Sequence, residues 1–208
     1  MKPNLDPFLH QKIALFLICT YFAFMDNLIL NILNKSNFLS LAKDHKIYYD
    51  ISNNLQNHLT NPLLSKKLTL SIAIAIATNE KNFNLRNILT ESALENSLTH
   101  DELTDIQATV AIMSMNNTLY KFKHFVNQEE YLHKPSGLKM ASKAKPNFGI
   151  KTFEILALCI SIVNNCQVCT IHHEEKCREL EFTAEEIYAA VQLTSTIKSI
   201  TMMEFSTQ

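Results

Sequence analysis

The stretch LLSKKLTLSIAIAIATN, residues 63–79, decides the fold class. Leu68, Leu70, Ile72, Ile74 and Ile76 alternate with small or polar residues, as the two faces of a strand do. The same residues also suit a fully buried helix whose Ala and Ser positions let neighbouring helices approach. The length of the run and the helical patterns on both sides of it favour the helix. Composition points the same way, because two glycines and five prolines in 208 residues are too few for the many tight turns of an all-β fold. The expected class is all-α, with six to eight helices.

Upstream, NLILNILNK (27–35) has Leu28, Ile29, Ile32 and Leu33 on one helical face, and residues 38–59 continue as polar helix. Downstream, Thr99 and Glu102 form a T-x-x-E capping box opening a long periodic segment to Val126. The polar connection from Asn127 to Ile150 holds both glycines, and a short helix is expected around Leu138 to Ala141. Lys151 to Val163 is strongly apolar, and Thr183 with Glu186 make a second capping box. No internal repeat is present.

The chain is 47% hydrophobic and 19% charged, with 19 Lys and Arg against 20 Asp and Glu. Such a balance offers no basic field for nucleic acid or an anionic membrane. The apolar run Ile13–Met25 is shorter than the roughly 20 residues that a membrane-spanning helix needs, and no small-residue cleavage site follows it. A further reading makes Met25 the true start, with residues 1–24 upstream of it. Five cysteines, an odd number with four crowded near the C-terminus, suit a reducing compartment and hence the cytoplasm.

Those four cysteines carry the chemical signal. NNCQVCTIHHEEKC, residues 164–177, spaces Cys166, Cys169, His173 and Cys177 as C-x2-C-x3-H-x3-C, superficially a zinc pattern. On one helix, however, the first and last of these would stand about 16 Å apart, and no glycine is present to fold them together. No metal is expected. A purely structural disulfide closing so short a loop would restrain little chain entropy. Cys159, inside EILALCISIV, reads as an inert core residue, as do Cys177 and Cys19. Cys166 and Cys169 differ, because both fall at a predicted helix N-terminus, where backbone amides and the helix dipole favour a thiolate. His173 is i+4 from Cys169 and one turn too far from Cys166, so it serves Cys169. Glu154, a lone carboxylate in an apolar helix, is the candidate that orients His173. His172 points about 100° away and reads as a surface residue.

Glu154, Cys166, Cys169 and His173, in FEILALCISIVNNCQVCTIHHEEKCRELEFTAEEIYAAV (153–191), resemble the E…CxxCxxxH signature of the alkylhydroperoxidase D (AhpD) family, within the carboxymuconolactone decarboxylase/AhpD-like superfamily. VAIMSMNNTLYKFKHFV (110–126), AKDHKIYYDISNNL from Ala42 and LSIAIAIATNEKNF from Leu70 resemble the same family in order, so the likeness spans roughly residues 38–208 and implies a single domain there, with residues 1–37 as an N-terminal extension. It implies an all-helical subunit, usually a homotrimer, acting as a lipoyl-dependent peroxidase in antioxidant defence. Carried onto this chain, Cys169 would be peroxidatic, Cys166 would resolve its sulfenic acid to a disulfide, and Glu154 and His173 would form a proton relay. No cofactor would be bound. Dihydrolipoamide, on the lipoylated acyltransferase of a 2-oxoacid dehydrogenase complex, would reduce the pair. The family also implies an alternative role, as a disulfide reductase that recycles a partner peroxiredoxin. A non-peroxidase relative of the decarboxylase branch is a further alternative, disfavoured because that branch does not need a CxxC. One departure stands out: well-known members carry a histidine between the cysteines, where this chain has Val168. The substitution implies less thiolate on Cys169 and slower peroxide turnover.

Overall fold

A computed structural model describes residues 24–36, 39, 42–140 and 146–203. Cys19 and most of the apolar run from Ile13 lie outside the described residues. So does the segment upstream of Met25 as far as residue 23.

The residues 63–79 question resolves as a helix. The first two helices are α1 (24–35) and α2 (Lys46–Leu59), and α3 is Lys66–Asn79. Ser65 caps α3 by accepting from the Leu68 amide at 3.2 Å. Nine consecutive α3 residues, Thr69 to Ala77, are buried. At 100° per residue an alternating pattern does not make one apolar stripe. It gathers Leu70 with Ile74, and Ile72 with Ile76, on two roughly opposed faces with Ala and Ser between them. A helix of that kind belongs between other helices, and α3 packs against α4 (Phe83–Asn96), α5 (His100–Val126), α7 (Ile150–Val163) and α9 (Ala184–Thr201). The remaining helices are α6 (Glu129–Leu132) and α8 (Gln167–Glu179). The molecule is all-α, with nine helices and no sheet among the described residues.

Both capping boxes form. Thr99 and Glu102 open the 27-residue α5, and Thr183 and Glu186 open α9. In α1, Met25, Leu28, Ile29, Ile32 and Leu33 recur at helical spacing and are buried in the same core as α3.

Two expectations need correction. The polar helix expected over 38–59 begins only at Lys46, where His45 caps it by accepting from the Ile47 amide. The short helix of the long connection is Glu129–Leu132 rather than Leu138–Ala141. Residues 135–140 have no regular structure, with Pro135 and Gly137 (φ 66°) breaking the run, and Ala141 lies outside the described residues.

With few glycines, helices stop on other residues. Lys81, Asn127, Asn165 and Glu181 all take the left-handed conformation, at a cost of roughly 1–2 kcal/mol for an ordinary side chain. At Asn165 (φ 55°) the Cys166 amide donates to the Ser161 carbonyl and the Asn165 amide to Ile162, both at 3.0 Å. This is the Schellman pattern that ends a helix and reverses the chain. It turns α7 into α8 and makes the two an antiparallel pair.

Candidate active site

The turn at Asn165 determines where the cysteines sit. Cys166 becomes the N-cap of α8, and Cys169 falls in its first turn. The sharp bend that metal coordination would have needed between the ligands lies ahead of both cysteines. The two sulfurs are joined as a disulfide, with Cα atoms 5.3 Å apart. Cys177, further along α8, is buried in the core with Cys159. Burial pushes both of these thiols up to about 12, so they stay protonated. Among the described residues, no three His, Cys, Asp or Glu side chains stand close enough to hold a metal ion.

The antiparallel α7 and α8 bring Glu154 and His173 together. The imidazole Nδ1 donates to Glu154 Oε2 at 2.6 Å, with the two residues 3% and 4% exposed. A carboxylate can only accept, so it fixes the ring with its proton on Nδ1 and leaves Nε2 as the free nitrogen. His173 also lies one helical turn beyond Cys169, as the i+4 spacing requires.

A cavity of about 330 Å³ opens on His173, walled also by Asn116, Tyr120, Met140, Val168, Cys169 and His172. Cys169 reaches it, and Cys166, 1% exposed, is not on its wall. His172, read from the sequence as a surface residue, is exposed but also borders the cavity, its ring 5.1 Å from that of His173. Asn116 and Tyr120 are wall residues that the sequence reading missed. The signal was present: Asn116 and Asn117 lie i+3 and i+4 from buried Met113, which places two amides on the apolar face of α5.

A chain of buried or half-buried side chains secures the turn. Asn79 Nδ2 donates to Glu80 Oε1 and to Asn164 Oδ1, both at 3.0 Å. Asn164 Nδ2 donates to Asn117 Oδ1 at 2.9 Å, and Asn117 Nδ2 to Ser161 Oγ at 3.1 Å. Lys198 on α9 pairs with the other oxygen of Glu80.

An all-helical subunit with a disulfide-forming CxxC at a helix start, backed by a buried carboxylate–imidazole pair, defines a thiol oxidoreductase. Residues 129–199 match the Carboxymuconolactone decarboxylase family. The chain is 31% identical over 167 residues to the alkyl hydroperoxide reductase AhpD of Gluconacetobacter diazotrophicus, covering 80% of this chain and 87% of that one. It is 29% identical over 165 residues to that of Brucella canis, covering 79% and 90%. The corresponding protein of Coxiella burnetii is 28% identical over 166 residues, covering 80% and 92%. This chain belongs to the AhpD family. Its role is redox chemistry. Among the described residues, no helix is long and apolar enough to cross a membrane.

Proposed function

We propose that this protein is a lipoyl-dependent alkyl hydroperoxide reductase. The observation that carries the reading is the buried Glu154–His173 pair at 2.6 Å, set one helical turn from a cysteine that opens on a cavity. In the reduced enzyme the Cys169 thiol gives its proton to His173, directly or through one water, and Glu154 stabilises the imidazolium. The thiolate attacks the terminal oxygen of the hydroperoxide, so that an S–O bond forms as the O–O bond breaks. His173 returns the proton to the departing alkoxide, which leaves as the alcohol. Cys166 then attacks the Cys169 sulfenic acid, releasing water and closing the disulfide. Dihydrolipoamide supplies two electrons and two protons to reopen it by thiol–disulfide exchange. The sum is hydroperoxide plus dihydrolipoamide to alcohol, water and lipoamide.

The protein would act as a homotrimer in the cytoplasm, served by the lipoylated acyltransferase of a 2-oxoacid dehydrogenase complex. A second role is favoured by the wall of the cavity, where Val168 is an apolar neighbour of Cys169 that can neither donate nor accept a proton. Poor support for a thiolate slows peroxide attack more than exchange, which suits a reductant of a partner peroxiredoxin. The test is hydroperoxide loss with dihydrolipoamide for wild type, Cys169→Ser and His173→Ala. Full activity in Cys169→Ser overturns the mechanism. An inactive wild type that still carries a disulfide reducible by dihydrolipoamide assigns the reductant role instead.

A further inference from the structure

The cavity beside Cys169 contains a polar side chain to which the chemistry above gives no part. Asn116 projects from α5, is 8% exposed, and lines the cavity together with Cys169, Val168 and His173. Its Oδ1 is buried and accepts no hydrogen bond from any described residue. The adjacent Asn117 is the opposite case, its amide bonded on both sides to Asn164 and Ser161. Buried amide oxygens without a donor are unfavourable and uncommon in folded proteins. Four side chains among the described residues are in this position, and of these only Asn116 borders the cavity. The other three, Thr69, Ser97 and Thr194, are hydroxyls elsewhere in the fold.

An acceptor at that place is complementary to one feature of the substrate class. A hydroperoxide carries its hydrogen on the terminal oxygen, the atom that sulfur must attack. We propose that Asn116 is a substrate-orienting residue, its Oδ1 accepting the hydrogen bond of the terminal O–H and so presenting that oxygen to Cys169 Sγ. This rests on the peroxidase reading above. The transfer keeps the bond intact: sulfur bonds to the terminal oxygen as the O–O bond breaks, the hydrogen stays on that oxygen, and the alkoxide takes its proton from His173. The sulfenic acid left on Cys169 therefore presents the same O–H to Asn116, while the alcohol is free to leave. A disulfide substrate has no such O–H and draws nothing from Asn116.

That difference provides the test. The full chain is reduced, desalted and mixed with cumene hydroperoxide in single turnover, following thiol loss. The same preparations are mixed with the aromatic disulfide DTNB. Asn116→Leu and Asn116→Ala are expected to slow oxidation by the hydroperoxide by about 5- to 150-fold while their DTNB rates stay within about threefold of wild type. Equal losses in both reactions overturn the proposal, because they mark a structural role. Unchanged hydroperoxide rates in both variants beside an active wild type overturn it alone and leave the peroxidase reading standing. A wild type that the hydroperoxide does not oxidise overturns both.

Discussion

Replacing Glu154 by glutamine tests the proton relay at its buried end. Glutamine has nearly the volume of glutamate, so no cavity opens in α7, and its amide can still meet His173. What is lost is the charge. The wild-type carboxylate lies 2.6 Å from Nδ1 with both residues nearly inaccessible, so bulk water screens the pair poorly. With charge centres roughly 4 Å apart and an effective interior dielectric near 20, the Coulomb attraction between a carboxylate and an imidazolium is about 4 kcal/mol, and that attraction, made only once the proton has moved, is what the substitution removes. A transition state with that proton fully on the imidazole loses all of it, about a thousandfold in rate, and one with the proton half transferred loses about thirtyfold. The expected result is thus a fall of between about thirtyfold and a thousandfold in the single-turnover oxidation of reduced protein by tert-butyl hydroperoxide, with the far-UV spectrum unchanged. A Glu154→Gln rate within about threefold of wild type would refute the reasoning, since even a half-transferred proton costs about thirtyfold.

Three further outcomes can be checked. Val168→His should increase thiolate absorbance at neutral pH and speed hydroperoxide oxidation, and identical absorbance titrations of variant and wild type would remove the explanation for weak turnover. Glu102→Gln should destabilise the protein at pH 7 by about 1 kcal/mol. Burial raises the Glu102 carboxyl, but the hydrogen bonds from Lys67 and Thr99 and the Lys67 charge outweigh it, so the folded pKa is below the usual value. The stability it contributes is therefore present above the unfolded carboxylate pKa of about 4.3 and is lost as pH falls through the lower folded value. Melting curves of both proteins should converge on acidification, and equal melting temperatures at pH 7 would contradict this. Finally, iodoacetamide at pH 8 should label Cys169 of the reduced protein, which reaches the cavity, but not Cys159 or Cys177, whose thiols are held near 12 by burial. Peptide mass spectrometry reads the result, and prompt labelling of Cys159 would show the core to be more open than described.

The residues that sequence reasoning found were those whose spacing carries geometry. His173 follows Cys169 by one helical turn, and a lone glutamate in an apolar helix must find a partner or leave the core, so spacing and composition alone place both. The Ile and Ala alternation of α3 was ambiguous because a period of two describes a strand face and a doubly buried helix equally well; the neighbouring helices decide between them. Asn165 was missed because asparagine is a common loop residue, and its αL conformation becomes evident only when the helix before it ends. His172 and Tyr120 depend on how α5 and α8 lie together, a property of tertiary structure which no local period encodes; for Asn116 the period of α5 gave the buried face but not the cavity that it lines. The misplaced short helix has a local cause. Pro135 and Gly137 stood against Leu138–Ala141, while Glu129 and Glu130 suit the first turn of a helix at Gln128.

The amides behind the turn have one more consequence. An asparagine can be reversed in place, exchanging its donor for its acceptor, and a row of them could in principle flip together. Glu80 prevents this, because a carboxylate on which Lys198 already sits can only receive. Asn79 must offer its NH2 there, which obliges Asn164 to accept from it, Asn117 to accept from Asn164, and Ser161 to accept from Asn117. The row has a direction, and a single acidic group at one end sets it. The segment presenting Cys166 is thereby held in one of two mirror-sense arrangements without a covalent tie, and Glu80→Gln, whose one oxygen would turn to Lys198 and whose NH2 would face Asn79, would favour the other.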